Sequence, residues 1–194
     1  MPLWSSSVAM WISLAVLVFW ALGAYNRLVR LRADLLRSLQ LLTTHWNSTA
    51  QILRTTLQEY AAESASESQW SNLGGGGDDV PWRSLSLAAK QLQACLAGLM
   101  ARPHLLAPID DFASLRAARD VLDGAWERLN DRHEDLAGSA VPQQLHVLWQ
   151  HHAMQSDEKR AAYNAQADSY NQAVSQFPAL LVAWMFGFKC TVRL

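Results

Sequence analysis

The chain is poor in the residues that carry most recognisable chemistry. Of 194 residues only two are cysteine, Cys95 and Cys190. Two thiols so far apart make neither a disulfide framework nor a zinc site. Nine glycines and six prolines exclude collagen-like and low-complexity classes. Charged residues are 17% of the chain and the formal net charge is −1. No overall positive field draws the chain to nucleic acid, and none is expected as a partner. Hydrophobic residues reach 51%, which excludes a disordered polar chain.

The largest absence is local. No charged side chain precedes Arg27. The apolar core of that stretch is Val8 to Tyr25, eighteen residues. As a helix it spans roughly 27 Å, close to the hydrocarbon thickness of about 30 Å. Lipid offers the backbone no hydrogen bonds, so such a segment must be helical. Trp4 and Tyr25 bracket it as interfacial aromatics do. A cleaved signal peptide wants a basic start, which Met1 to Ser7 lacks, although Ala21-Leu22-Gly23 reads as a small-x-small cleavage site. We read residues 1–25 as a transmembrane anchor. Arg27, Arg30, Arg32 and Arg37 follow it directly. The positive-inside rule then places the N-terminus outside and the remaining chain in the cytoplasm.

From Asn26 onward the apolar residues recur at helical spacing: Leu28, Leu31, Leu35, Leu39, Leu42, Trp46, Leu53, Leu57 and Tyr60. The spacing predicts one long helix running to about Ala65. The Gly-rich stretch 64–81, with four consecutive glycines, is a flexible loop. It lacks the Gly-Lys-Ser/Thr ending of a phosphate loop. A second helix is predicted over Trp82–Ala101, with Leu85, Ala88, Leu92, Cys95 and Leu99 on its inner face. A third spans Asp110 or Asp111 to Ala137, with one of those aspartates as its cap. A fourth runs from Pro142 to Phe177. In it Tyr163, Ala167, Tyr170, Val174 and Phe177 form a heptad-like seam. No alternating run argues for a sheet. The expected fold is all-α: an N-terminal transmembrane helix, then residues 26–194 as an antiparallel bundle of four long helices.

Two separated blocks carry a resemblance. Tyr163-Asn164, Tyr170-Asn171, Phe177-Pro178 and Phe186-Gly187-Phe188 follow one another as Y-N-x5-Y-N-x5-F-P-x7-F-G-F. Just past the apolar run stands Tyr25-Asn26-Arg27-Leu28-Val29-Arg30-Leu31-Arg32. Together they resemble the LemA family, as a divergent member. The chain lacks a proline in Thr43–Leu53, where the family usually has one, and ends on Lys189–Leu194 rather than an aromatic-acidic tail. The resemblance implies a single-pass helical-bundle protein of the bacterial inner membrane, and no reaction.

If four helices pass up and down, Tyr25 and Asn26 should come near Tyr170, Asn171 and Phe177. The asparagines should fix helix register by buried hydrogen bonds. The apolar segment Pro178–Phe188 is too short to span a bilayer. It either covers the open end of the bundle or lies at the lipid headgroups, with Lys189 and Arg193 joining the arginines after the anchor.

No catalytic, cofactor or metal set emerges. His146, His151 and His152 are spaced by five and one, not the four that puts two ligands on one helix edge. No serine lies in a G-x-S-x-G elbow. The acidic residues of the third helix, including Asp120, Asp123 and Glu127, alternate with Arg116, Arg119 and Arg128 as a solvated face does. The expected role is non-enzymatic: a membrane-anchored scaffold for a membrane or cytoplasmic protein. The alternative is a lipid-binding or membrane-organising protein using the arginines and the 178–188 segment.

Overall fold

A computed structural model describes residues 3–67, 79–101, 109–135, 143–177 and 179–194, with side chains placed at 8–59, 81–101, 110–131, 143–177 and 179–194. All regular structure among the described residues is helical. The helices are α1 (Leu3–Glu67), α2 (Asp79–Met100), α3 (Ile109–Asp135), α4 (Gln143–Ser175) and α5 (Ala179–Phe186).

The sequence explains most boundaries. No Gly or Pro interrupts 26–67, so α1 continues unbroken from the apolar run. The centre of the Gly-rich loop lies outside the described residues. α2 opens at Asp79, three residues before the expected start. Pro81 then falls in the first turn, where its missing N–H costs no hydrogen bond. α3 opens at Ile109, so Asp110 and Asp111 sit inside the first turn rather than before it. There they face the positive end of the helix dipole. The break at 102–108 and the expected stop at Gly138-Ser139 lie outside the described residues. α4 ends at Ser175, two residues short of the expected Phe177.

The chain divides into two compact units. One comprises α1 up to Ser38 together with Ala162–Arg193. Its core is Leu28 and Leu35 of α1, Tyr163, Ala167, Tyr170, Ala173 and Val174 of α4, and Val182 and Ala183 of α5. The seam expected along α4 is therefore buried through Val174. Phe177 is the exception at 79% exposed, because the helix has already ended.

The other unit comprises Leu39–Ala161. α1 supplies Leu39, Leu42, Trp46, Ala50, Leu53 and Leu57 to its core. α2 and α3 pack against each other. Arg54 of α1 donates to Gln93 of α2 at 2.6 Å, Trp46 of α1 to Ser156 of α4, and Trp126 of α3 stacks on Trp149 of α4 at 4.6 Å. Each helix of this unit thus touches two others. Buried Thr43 satisfies its hydroxyl on the Leu39 carbonyl one turn back, at 2.9 Å. The inner face of α2 is Leu85, Ala88, Ala89, Leu92 and Leu96. Cys95 and Leu99, expected on that face, are half-buried at its edge.

Candidate functional site

In the first unit the structure gathers the C-terminal residues singled out in the sequence. α5 closes with Gly187 in the left-handed conformation, φ 70°. The Phe188 N–H donates to the Ala183 carbonyl at 2.9 Å. A six-residue reach over a left-handed glycine is a Schellman closure. Among the described residues nothing stands within 4 Å of where a Cβ would be, so glycine is needed there for conformation and not for space. The closure presents Phe186 and Phe188 to one partner. The Tyr25 ring lies 4.8 Å from Phe186 and 6.1 Å from Phe188. The Arg32 guanidinium stands 5.9 Å from the centre of the Phe188 ring, within cation–π range.

The tail beyond Phe188 is tied to α4 by its tyrosine and asparagine. Asn171 pairs with the Thr191 backbone in both directions, as another peptide group would. Its Nδ2 donates to the Thr191 carbonyl at 2.9 Å, and its Oδ1 accepts from the Thr191 N–H at 2.8 Å. The Tyr163 hydroxyl donates to the Val192 carbonyl at 2.9 Å and lies 3.4 Å from the Thr191 hydroxyl. Arg193 reaches Asp168 at 3.7 Å. Burial raises the Tyr163 pKa against the lowering effect of Thr191. Tyr170 is also fully buried, and its hydroxyl has no hydrogen-bond partner among the described residues. Burial raises its pKa, Arg32 opposes that, and Cys190 adds to it.

The two sequence blocks therefore come together. The ring partners of Tyr25 are Phe186 and Phe188, and Phe177 is exposed. Asn164 is half-buried, and Asn26, Arg27 and Arg30 are exposed. Arg37 is exposed and pairs with Asp34 at 3.4 Å. Pro178 lies outside the described residues.

The second unit holds two clusters that sequence reasoning missed. The first pairs His45 of α1 with His152 of α4, ring centres 5.4 Å apart. The Thr49 hydroxyl donates to the His45 carbonyl at 2.9 Å and lies 3.3 Å from His152 Nδ1. That hydroxyl has one proton, so Nδ1 is the donor to it. His45 Nε2 lies 3.3 Å from the His152 carbonyl, which can only accept, so Nε2 carries a proton. Burial lowers the pKa of both rings. The bond to the His152 carbonyl opposes this at His45, where Lys159, Arg119 and His151 lower it further, while His45, His151 and Lys159 also lower His152. Of the remaining histidines, His146 packs 6.1 Å from Trp126 and His151 is exposed. Among the described residues no three metal-ligating side chains converge.

The second cluster centres on Arg119. Its side chain is only 14% exposed, not solvated as the charge pattern suggested. The guanidinium stands 5.8 Å from the Trp46 ring centre and 5.7 Å from that of Trp149. It also pairs with Asp123, with both closest approaches at 3.0 Å. Burial raises the Asp123 pKa, and Arg119 opposes it. The signal was present in the sequence. Arg119 lies four residues after Leu115 and three before Leu122, on the apolar stripe itself.

Between α1 and α2 a cleft of about 350 Å³ is lined by Arg54, Leu57, Gln58, Trp82, Arg83, Ser86 and Lys90. Its three cations favour an anion. No family profile, curated protein or solved structure matches the chain.

Proposed function

We propose that the chain is a single-pass, membrane-anchored helical-bundle protein, related to the LemA family, with a non-enzymatic scaffold role in a bacterial inner membrane. The observation that supports this reading is a switch in exposure along α1. The most apolar eighteen-residue window of the helix is 0% buried within the protein. From Leu28, which is fully buried, the same helix becomes part of a packed core. A soluble protein leaves no such run of Val, Leu, Trp and Phe uncovered, because the apolar area left in water is far larger than monomer surfaces carry. Lipid covers it without loss.

The four arginines after the run favour a cytoplasmic helical domain, and the contacts among α1, α2, α3 and α4 support a bundle. Such a domain offers long helix faces to a membrane or cytoplasmic protein partner. The test is topology. The full chain is fused at its C-terminus to alkaline phosphatase, active only outside, or to a fluorescent protein that matures only inside. Fluorescence without phosphatase activity is expected. Phosphatase activity alone would overturn the orientation. Release of the chain from membranes by alkaline carbonate would overturn the anchor.

A further inference from the structure

α5 has an outer face without a partner among the described residues. Phe177, Leu180, Leu181, Trp184 and Met185 are all exposed, Trp184 at 84%. Leu180, Leu181, Trp184 and Met185, spaced by one, three and one, lie on one side of α5. Val182 and Ala183 on the other side are buried against the unit. The segment thus docks on the protein by two small residues and presents its large ones outward. No charged residue occurs between Asp168 and Lys189.

Three observations select what covers that face. First, α5 is joined to the end of the apolar run by the Tyr25–Phe186 contact. The exposed face therefore begins where the exposed run of α1 ends. Second, basic residues flank the junction along the chain: Arg27, Arg30 and Arg32 follow the apolar run on α1, and the exposed Lys189 follows α5. Third, α5 is roughly 12 Å long, too short to cross a bilayer but suited to lie in its surface. Apolar residues that include an indole and are flanked by cations match the headgroup–acyl boundary of an anionic leaflet.

We propose that α5 is an interfacial helix, its Leu180, Leu181, Trp184 and Met185 face seated in the headgroup–acyl boundary of the leaflet from which α1 emerges. This rests on the membrane-anchored reading of α1. The protein then touches the bilayer twice, once through it and once upon it. The tail clamp of Asn171 and Tyr163 holds the second contact in place.

The test uses the full chain in vesicles of equal parts phosphatidylcholine and phosphatidylglycerol. Cys95→Ser and Cys190→Ser clear the native thiols. One new cysteine is then labelled with an environment-sensitive fluorophore, at Val16, Trp184 or Ala165. All three native side chains are exposed, so each variant should fold. Lipids bearing a nitroxide near the headgroup end or near the methyl end of the chain serve as quenchers. The label at 184 should lose most of its emission to the shallow nitroxide and little to the deep one. The label at 16 should be quenched by the deep nitroxide, and the label at 165 by neither. A label at 184 that escapes both nitroxides while that at 16 is quenched overturns the interfacial helix and leaves the anchor standing. This holds equally if 184 is shielded by a second copy of the chain. A label at 16 that escapes quenching overturns the anchor instead.

Discussion

Asn171→Ala should free the C-terminal tail without disturbing the helices. The side chain makes two hydrogen bonds to one residue, to the Thr191 carbonyl at 2.9 Å and from the Thr191 N–H at 2.8 Å. Both are partly buried. Each such bond contributes a net of about 0.5–1.5 kcal/mol, so losing both costs about 1–3 kcal/mol. Alanine has no polar group to leave stranded on its own side, and the freed Thr191 groups can turn to water once the tail lifts. The cost therefore falls on tail docking and not on global stability. In populations it is about a fivefold to 150-fold rise in the open tail.

Hydrogen exchange reads that quantity directly. The Thr191 amide should exchange faster by the same factor, while amides inside α4 keep their protection. Asn171→Asp keeps an acceptor for the Thr191 N–H but turns a second acceptor toward the Thr191 carbonyl, so it should not restore wild-type protection. Tyr163→Phe removes the separate bond to Val192 and should add to the effect of Asn171→Ala. Equal Thr191 exchange in wild type and Asn171→Ala would refute the reasoning. So would a uniform acceleration across α4, which would mean that Asn171 supports the helix and not the tail.

Gly187→Ala should cost about 1–2 kcal/mol, the strain of a left-handed alanine, measured as a lower unfolding midpoint; an unchanged midpoint would mean that the closure is not needed. Trp46→Phe should cost about 1–3 kcal/mol by leaving the buried Ser156 hydroxyl unpaired, and Ser156→Ala should suppress part of that loss in a double-mutant cycle, whereas strict additivity would deny the bond its role. His45 and His152 are held neutral by burial, with pKa values below the ordinary 6.5. Unfolding lets them take up protons first, so their contribution is complete above about pH 6.5 and is lost as pH falls from there through their depressed values. The difference in urea midpoint between wild type and His45→Gln/His152→Gln should therefore shift against the wild type on acidification, and a difference that is flat across that range would contradict the assignment.

Helical period was the legible part of this chain. Where apolar residues alternate with polar ones, as from Leu28 to Leu57, the spacing names most of the buried face, with Leu31 left half-buried and Ala50 added to it. It fails where the contrast disappears. Residues 179–186 read ALLVAWMF, uniformly apolar, so no stripe stands out. The structure docks Val182 and Ala183 against the unit and leaves Trp184 outward. α2 failed more mildly, since Ala88, Ala89, Leu92, Cys95, Leu96 and Leu99 offer two overlapping stripes. The inward Arg119 broke the pattern in the other direction. A cation on an apolar stripe is tolerable when two indoles and a carboxylate receive it. The His45–His152 pairing had no local signal, because its partners are 107 residues apart.

The motif residues themselves explain why such a pattern takes these residue types. A tail without regular structure must satisfy its backbone groups somewhere, and an amide side chain is the one that both donates and accepts like a peptide. That accounts for Asn171 opposite Thr191. A helix that must stop and bring two rings to one side needs a left-handed residue between them, and that accounts for Gly187 between Phe186 and Phe188. A ring at the end of the apolar run is what those two phenylalanines can meet, and that accounts for Tyr25. Two of these meet on the same residues, since Gly187 brings Phe186 and Phe188 to Tyr25 and Arg32, while Asn171 ties the tail that follows to α4. Gly187→Ala should therefore loosen the Thr191 tail as well as the closure in hydrogen exchange, because the tail leaves α5 through that turn, whereas Asn171→Ala should leave the Phe188 amide protected; a Phe188 amide that loosens equally in both would contradict this order.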